Sequence, residues 1–180
     1  MIQDIVIALQ SAGRFDNTII IFTSDNGLAW GEHRWLDDKR CIYEECIRVP
    51  LWIRIPGQAP RTESSLVQLI DLAPTVAEWA KTSAPAPIKG VTLVNLINSP
   101  GLALRSGILL EDLGSRAQVR DGSFHAVRTQ QYIYAEFNNG DTELYDLAAD
   151  PYQLTNIVGD PAYATIVAQM RQFLNALRNS

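Results

Sequence analysis

Thr18-Ile19-Ile20-Ile21-Phe22-Thr23, running into Ser24-Asp25-Asn26-Gly27, is the stretch on which the fold turns. The first six residues form a short apolar run dominated by β-branched side chains. Such a run suits a strand covered on both faces, as in a parallel sheet. It ends abruptly in four small, mostly polar residues. Upstream, Ile2, Ile5, Val6, Leu9 and Ala12 recur at helical spacing and Gly13 is a natural stop, so a helix is expected over 1–12. Asp16-Asn17 supplies the turn between helix and strand.

Working outward, a long polar segment containing Trp30, His33 and Lys39 follows, and 49–55 reads as a second strand closed by Pro56-Gly57. A further short strand is expected over 66–70. Asp71 is placed to cap a helix running to Trp79, with Pro74 tolerated in its first turn. Residues 82–87 form a Pro/Ala-rich linker. The last third changes character. Short antiparallel strands are expected over 106–111, 124–129, 132–137 and 142–147, with Asn138-Asn139-Gly140-Asp141 as a hairpin turn. Asp160-Pro161 opens a final helix, whose apolar face is Tyr163, Ile166, Val167, Met170, Leu174 and Leu177. The order predicts an α/β portion over 1–100 and a small antiparallel sheet with a terminal helix over 101–180.

Composition narrows the function classes. With 180 residues, 47% apolar and 19% charged, the chain has enough apolar surface to fold. A net charge of -5 and no Lys/Arg-rich run give nucleic-acid binding no electrostatic support. No apolar run is long enough to span a bilayer, so no membrane partner is expected, and the compartment is left open. Two cysteines, Cys41 and Cys46, are too few for a disulfide framework. On a helix they face apart, so they are expected as small free thiols.

Four residues at three places can carry chemistry. Asp25 and Asn26 stand where a strand meets a loop, the edge at which α/β sheets bind ligands. A carboxylate beside an amide oxygen offers two hard ligands for Ca²⁺ or Mg²⁺, although the same residues also make ordinary turns. Lys39 is either a solvated loop lysine or a point charge for a sulfate or phosphate oxygen. His33 can donate to an anion or move a proton, but no neighbour in sequence fixes its partner. Tyr43-Glu44-Glu45 and Arg48 read as structural, and His125 as a packed or rim residue in its strand. No G-x-S-x-G motif and no phosphate-binding glycine loop is present.

Taken together, the segments Thr23-Ser24-Asp25-Asn26-Gly27, Gly31-Glu32-His33, Lys39, Tyr43-Glu44-Glu45, Arg48-Val49-Pro50-Leu51 and Pro56-Gly57 resemble the sulfatase family in order and spacing. The resemblance continues through Ile70-Asp71-Leu72-Ala73-Pro74-Thr75, Val127-Arg128-Thr129, Glu143-Leu144-Tyr145-Asp146-Leu147 and Asp150-Pro151. It implies the C-terminal part of an alkaline-phosphatase-like sulfatase fold and the hydrolysis of sulfate esters. It implies a formylglycine nucleophile made from a C/S-x-P-x-R motif, with a divalent cation, usually Ca²⁺. Asp25 and Asn26 become the C-terminal pair of metal ligands. Lys39 becomes the catalytic and sulfate-binding lysine, and His33 a substrate-binding residue.

Neither cysteine nor any serine of this chain begins the nucleophile motif. The resemblance therefore implies a C-terminal piece, inactive alone, with metal binding weak or absent. It also implies a surface that either self-associates or meets a missing N-terminal half. A phosphonate or phosphate monoester hydrolase piece of the same superfamily, and a free-standing non-catalytic interaction module, are the alternatives.

Overall fold

A computed structural model describes residues 1–34, 36–84, 86–113 and 123–179, with the backbone alone for 36–38. The expected first helix is α1 (Ile2–Ser11), none of whose residues is buried. A short turn at Phe15–Asn17 leads into β1 (Ile20–Thr23). Two small strands follow, β2 (Ala29–Trp30) and β3 (Leu36–Asp38), then a one-turn helix α2 (Glu44–Ile47) and β4 (Leu51–Arg54).

The reading of 18–23 as a strand covered on both faces in a parallel sheet is corrected. β1 pairs with β4 alone and antiparallel, Ile20 opposite Arg54 and Thr23 opposite Leu51. Its residues are half-buried or exposed, Phe22 at 41%. An apolar run reports that a strand wants cover; it does not say which strand lies beside it or in which direction. Arg54 locks this pair to the preceding turn. Its Nη1 donates to the carbonyls of Phe15 (2.8 Å) and Thr18 (3.1 Å), and its guanidinium lies 3.6 Å from the Phe15 ring centroid.

No strand forms over 66–70. Leu69–Asp71 is instead a turn of 3₁₀ helix leading into α3 (Leu72–Trp79). Asp71 does not cap α3 with its side chain. The carboxylate, fully buried, accepts from the backbone N–H of Gln68 and of Val91, both at 2.8 Å, and pairs bidentately with Arg105 at 2.6 and 2.8 Å. A short helix absent from the sequence-based expectation, α4 (Val94–Asn98), follows the 82–87 linker, in which Pro85 lies outside the described residues.

The last third forms as expected. Strands β5 (Gly107–Asp112), β6 (Phe124–Thr129), β7 (Tyr132–Phe137) and β8 (Thr142–Asp146) make an antiparallel sheet in the order β5-β6-β7-β8. Gly140 adopts φ 93 in the turn before β8, a left-handed conformation that glycine takes without steric penalty. Asp160 accepts from the N–H of Ala162 and Pro161 opens a short turn before α5 (Ala164–Arg178).

Both faces of this sheet are covered, and that positions the site. On one face Val127, Tyr134 and Leu144 pack against Met170 and Leu174 of α5. On the other, Phe124, Ala126, Ile133, Ala135 and Tyr145 pack against Ala29, Cys41, Ile42, Tyr43 and Cys46. The alternation along each strand thus sends one apolar set to the terminal helix and the other to the 41–46 turn.

Candidate active site

The turn at 41–47 is where the 25–27 loop and His33 dock, and Lys39 just precedes it. It is not built around free thiols. Cys41 and Cys46 form a disulfide with Cα atoms 5.8 Å apart, both almost fully buried. The expectation failed because it assumed one helix through both residues. In fact α2 begins at Glu44, after extended backbone at Tyr43, and the bend brings the two Cα atoms within bridging distance.

Three further ties hold the turn to the C-terminal sheet. Glu44 accepts from Arg128 Nε at 3.1 Å and Nη2 at 3.3 Å. The Glu44 N–H donates to the buried Gln153 Oε1 at 2.8 Å. The Tyr43 hydroxyl donates to Glu143 Oε2 at 3.4 Å. Arg48 also reaches Glu44, at 3.5 Å, from an exposed position.

The loop carrying Asp25 and Asn26 docks on this turn. The Gly27 N–H donates to the Cys46 carbonyl at 2.8 Å, and a Cβ at Gly27 would drive into the Glu45 carbonyl oxygen. Only glycine allows the two backbones to approach this closely. Asp25 is exposed and Asn26 half-buried. Asn26 Nδ2 donates to the Gly27 carbonyl at 2.7 Å, which leaves Oδ1 as the atom that could meet a cation. The donor pair therefore fits a hard cation in kind. It falls short in number, since Ca²⁺ takes six to eight oxygens. Among the described residues no group of three His, Cys, Asp or Glu side chains completes a metal site.

His33 lies across the same turn. Its ring stacks on Tyr43 with centroids 3.6 Å apart and planes 8° from parallel. Its Nε2 is 3.7 Å from Glu45 Oε2, within ion-pair range and beyond a hydrogen bond. The partner that sequence reasoning could not name is thus an aromatic face and a carboxylate ten to twelve residues on. The backbone bends sharply to deliver the ring: Gly31 has φ 123, His33 φ 53 and Arg34 φ 61. Consecutive left-handed residues other than glycine are uncommon and gather at functional sites.

Lys39 stands two residues before the disulfide, with an exposed side chain. It lines a shallow recess of about 290 Å³ with Cys41, Ile47, Leu110 and Phe124. Among the described residues no hydrogen bond or ion pair joins Asp25, Asn26, His33 and Lys39 to one another. What they share is the turn.

Two carboxylates were missed. Glu143, read only as part of a motif, accepts hydrogen bonds from both Tyr43 and Tyr145, the latter at 3.0 Å. Burial pushes the Glu143 carboxyl above its usual range and pushes both phenols upward as well. The signal available in sequence was its place on the same strand face as Tyr145, one position from buried Leu144. Glu111 pairs with His125 Nδ1 at 3.1 Å across the β5–β6 ladder.

An α/β portion ending in a four-stranded antiparallel sheet and a helix is the C-terminal architecture of alkaline-phosphatase-like sulfatases. Residues 31–180 match the family described as N-sulphoglucosamine sulphohydrolase, C-terminal, and the chain belongs to it. It is 35% identical over 173 residues to an N-acetylglucosamine-6-O-sulfatase of Bacteroides thetaiotaomicron, covering 92% of this chain and 31% of that one. It is 32% identical over 190 residues to the human N-acetylglucosamine-6-sulfatase, covering 87% of this chain and 34% of the relative. Among solved structures, one in complex with its substrate D-glucosamine-2-N,6-O-disulfate superposes with a TM-score of 0.91 at 34% identity, over 99% of this chain and 37% of that one. A phosphonate monoester hydrolase of Agrobacterium radiobacter gives 0.85 at 28% identity, over 98% and 38%. The chain thus spans about a third of the length of these relatives.

Proposed function

We propose that this chain forms the C-terminal share of a sulfate ester hydrolase site, holding part of the cation shell and part of the sulfate-binding surface. The observation that carries the reading is geometric. The Asp25-Asn26 loop and His33 dock on one disulfide-closed turn that Lys39 just precedes, and a family match covers 31–180. Asp25 and Asn26 Oδ1 would hold Ca²⁺ or Mg²⁺, which neutralises charge developing on the sulfate oxygens. Lys39 holds a sulfate oxygen as a point charge, and the recess it helps to line would take the leaving-group side of the ester. His33 Nε2, which makes no hydrogen bond among the described residues, turns to the same anion. The nucleophile and the remaining cation ligands come from residues outside these 180.

The partner of that arrangement is the N-terminal portion of a sulfatase fold. Support comes from the roughly threefold greater length of the relatives. It comes also from the apolar surface left by α1, β1 and β4: Ile2, Ile5, Ile7, Ile19, Phe22 and Trp52 are all exposed, Trp52 at 74%. Large apolar side chains exposed in this number are what a missing interface partner would leave. The substrate to try first is a sulfated amino sugar, because two relatives are named for 6-sulfated N-acetylglucosamine. The phosphonate hydrolase reading has the weaker support, at lower identity.

The test is a titration with inorganic sulfate in the presence of Ca²⁺, followed by amide NMR. Shifts are expected at 25–27, 33 and 39, and their loss in Lys39→Ala. Saturating sulfate with no response at these positions would overturn the reading. The chain alone is expected to show no turnover of an activated aryl sulfate. Turnover that copurifies with it and vanishes in Lys39→Ala would show that the nucleophile lies within the 180 residues.

A further inference from the structure

The His33 ring is held from a distance. It stacks face to face on Tyr43, whose own ring is fixed on two other sides. The Tyr43 hydroxyl donates to Glu143, and the edge of Tyr145 meets the Tyr43 ring with centroids 6.1 Å apart at 69°. Both phenols converge on one oxygen, Glu143 Oε2, from positions 100 residues apart in sequence and 2 residues apart on β8. Tyr43 and Tyr145 are themselves buried, at 9% and 5% exposure. The His33 ring also lies near Glu45, too far to hydrogen-bond, whose Oε2 accepts nothing among the described residues. The backbone at 33 and 34 is left-handed, so the ring is presented against local preference and needs a fixed support.

We propose that Glu143 is a positioning residue for anion recognition: through the Tyr43 hydroxyl it fixes the plane on which His33 lies, and so aims His33 Nε2 at the bound sulfate. The proposal rests on the reading of His33 as a sulfate-binding residue. It assigns the C-terminal sheet a part in recognition that its position behind the turn would not suggest. The alternative, a buried carboxylate that merely bonds sheet to turn, makes a different prediction, because losing it would then weaken the fold without moving the His33 ring. A raised carboxyl pKa, caused first by burial, accords with a group enclosed by two phenols.

The experiment uses the full chain labelled at histidine. There are only two histidines, and His125, paired with Glu111 on the other face of the sheet, is an internal control. In the native chain the His33 ring protons are expected to be shifted upfield by the Tyr43 ring current. Glu143→Leu is expected to abolish most of that shift and weaken sulfate binding several-fold, with the His125 signals unmoved. Glu143→Gln, which keeps an oxygen acceptor for both phenols, is expected to restore both. If Glu143→Leu does not fold, Tyr43→Phe deletes only the hydroxyl link and is expected to change the His33 shift in the same direction. Native His33 signals in every variant that folds would overturn the proposal. A lost ring shift in a chain whose native form binds no sulfate would support the positioning role and overturn the sulfate-binding reading of His33.

Discussion

Replacing Asp71 with alanine tests the largest single commitment of buried charge in the structure. The carboxylate is fully buried and the Arg105 side chain is 14% exposed. Four hydrogen bonds end on the carboxylate: two from the guanidinium and one each from the Gln68 and Val91 N–H groups. Removing one member of such a pair leaves a guanidinium and two backbone donors without their acceptor, which costs about 3–5 kcal/mol. For a domain of this size each kcal/mol lowers Tm by roughly 2–4 °C, so a fall of about 6–20 °C is expected.

Burial raises the Asp71 pKa, but Arg105 and the two N–H donors outweigh it and the net shift is downward. The contribution is therefore fully present above the ordinary carboxylate range and is lost as pH falls through the lowered value. Urea unfolding of the native chain, Asp71→Ala, Arg105→Ala and the double variant gives the coupling directly. The double variant should lose less than the sum of the singles by more than about 1 kcal/mol. Additive losses, or an Asp71→Ala effect below about 1 kcal/mol near neutral pH, would refute the argument that this ion pair joins the 68–71 turn to the strand-leading segment at 105.

Gly27→Ala is expected to destabilise by about 1–3 kcal/mol, since the new Cβ meets the Glu45 carbonyl, and urea unfolding measures it. Cys41→Ser/Cys46→Ser opens a loop closed over a sequence separation of 5, for which chain entropy gives a loss of about 2 kcal/mol, read by unfolding under non-reducing conditions. Because the Glu143 pKa is raised, its folded-state advantage is full at low pH and is lost as pH rises through the raised value. Glu143→Gln should therefore gain in stability relative to the native chain as pH increases, and a gap independent of pH would contradict this. Ca²⁺ binding by calorimetry is expected to be weak and lost in Asp25→Ala, whereas tight stoichiometric binding would mean a complete shell.

The C-terminal sheet was legible in the sequence almost to the residue. Strand runs over 124–129 and 132–137, a glycine turn at 140 and a proline-led helix are local signals, and local chemistry set them. The partner of β1 was not legible, because antiparallel pairing with 51–54 is a choice among strands and leaves no mark on the run itself. The expected strand at 66–70 lost to the Asp71 carboxylate, which drew the Gln68 N–H into a turn. Asp25, Asn26, His33 and Lys39 were picked out by motif alone, and the contacts around them were not legible. The Cys41–Cys46 bridge depends on where α2 begins, and the Tyr43–Glu143 bond joins residues 100 apart.

The separation in sequence of those contacts also sets an order of assembly. Strands β6, β7 and β8 are joined by tight turns, and the helix that covers them follows after the 147–163 segment, so little loop entropy opposes their closure. The 41–47 turn, by contrast, is held through Arg128, Glu143 and Gln153, whose bonds to it span 84, 100 and 109 residues. The sheet and terminal helix are expected to form a platform early, with the 25–27 loop and His33 acquiring their geometry when the turn docks on it. In hydrogen exchange the amides of β7 should outlast those of the docking turn, and chemistry at the front of the molecule waits on folding at its back.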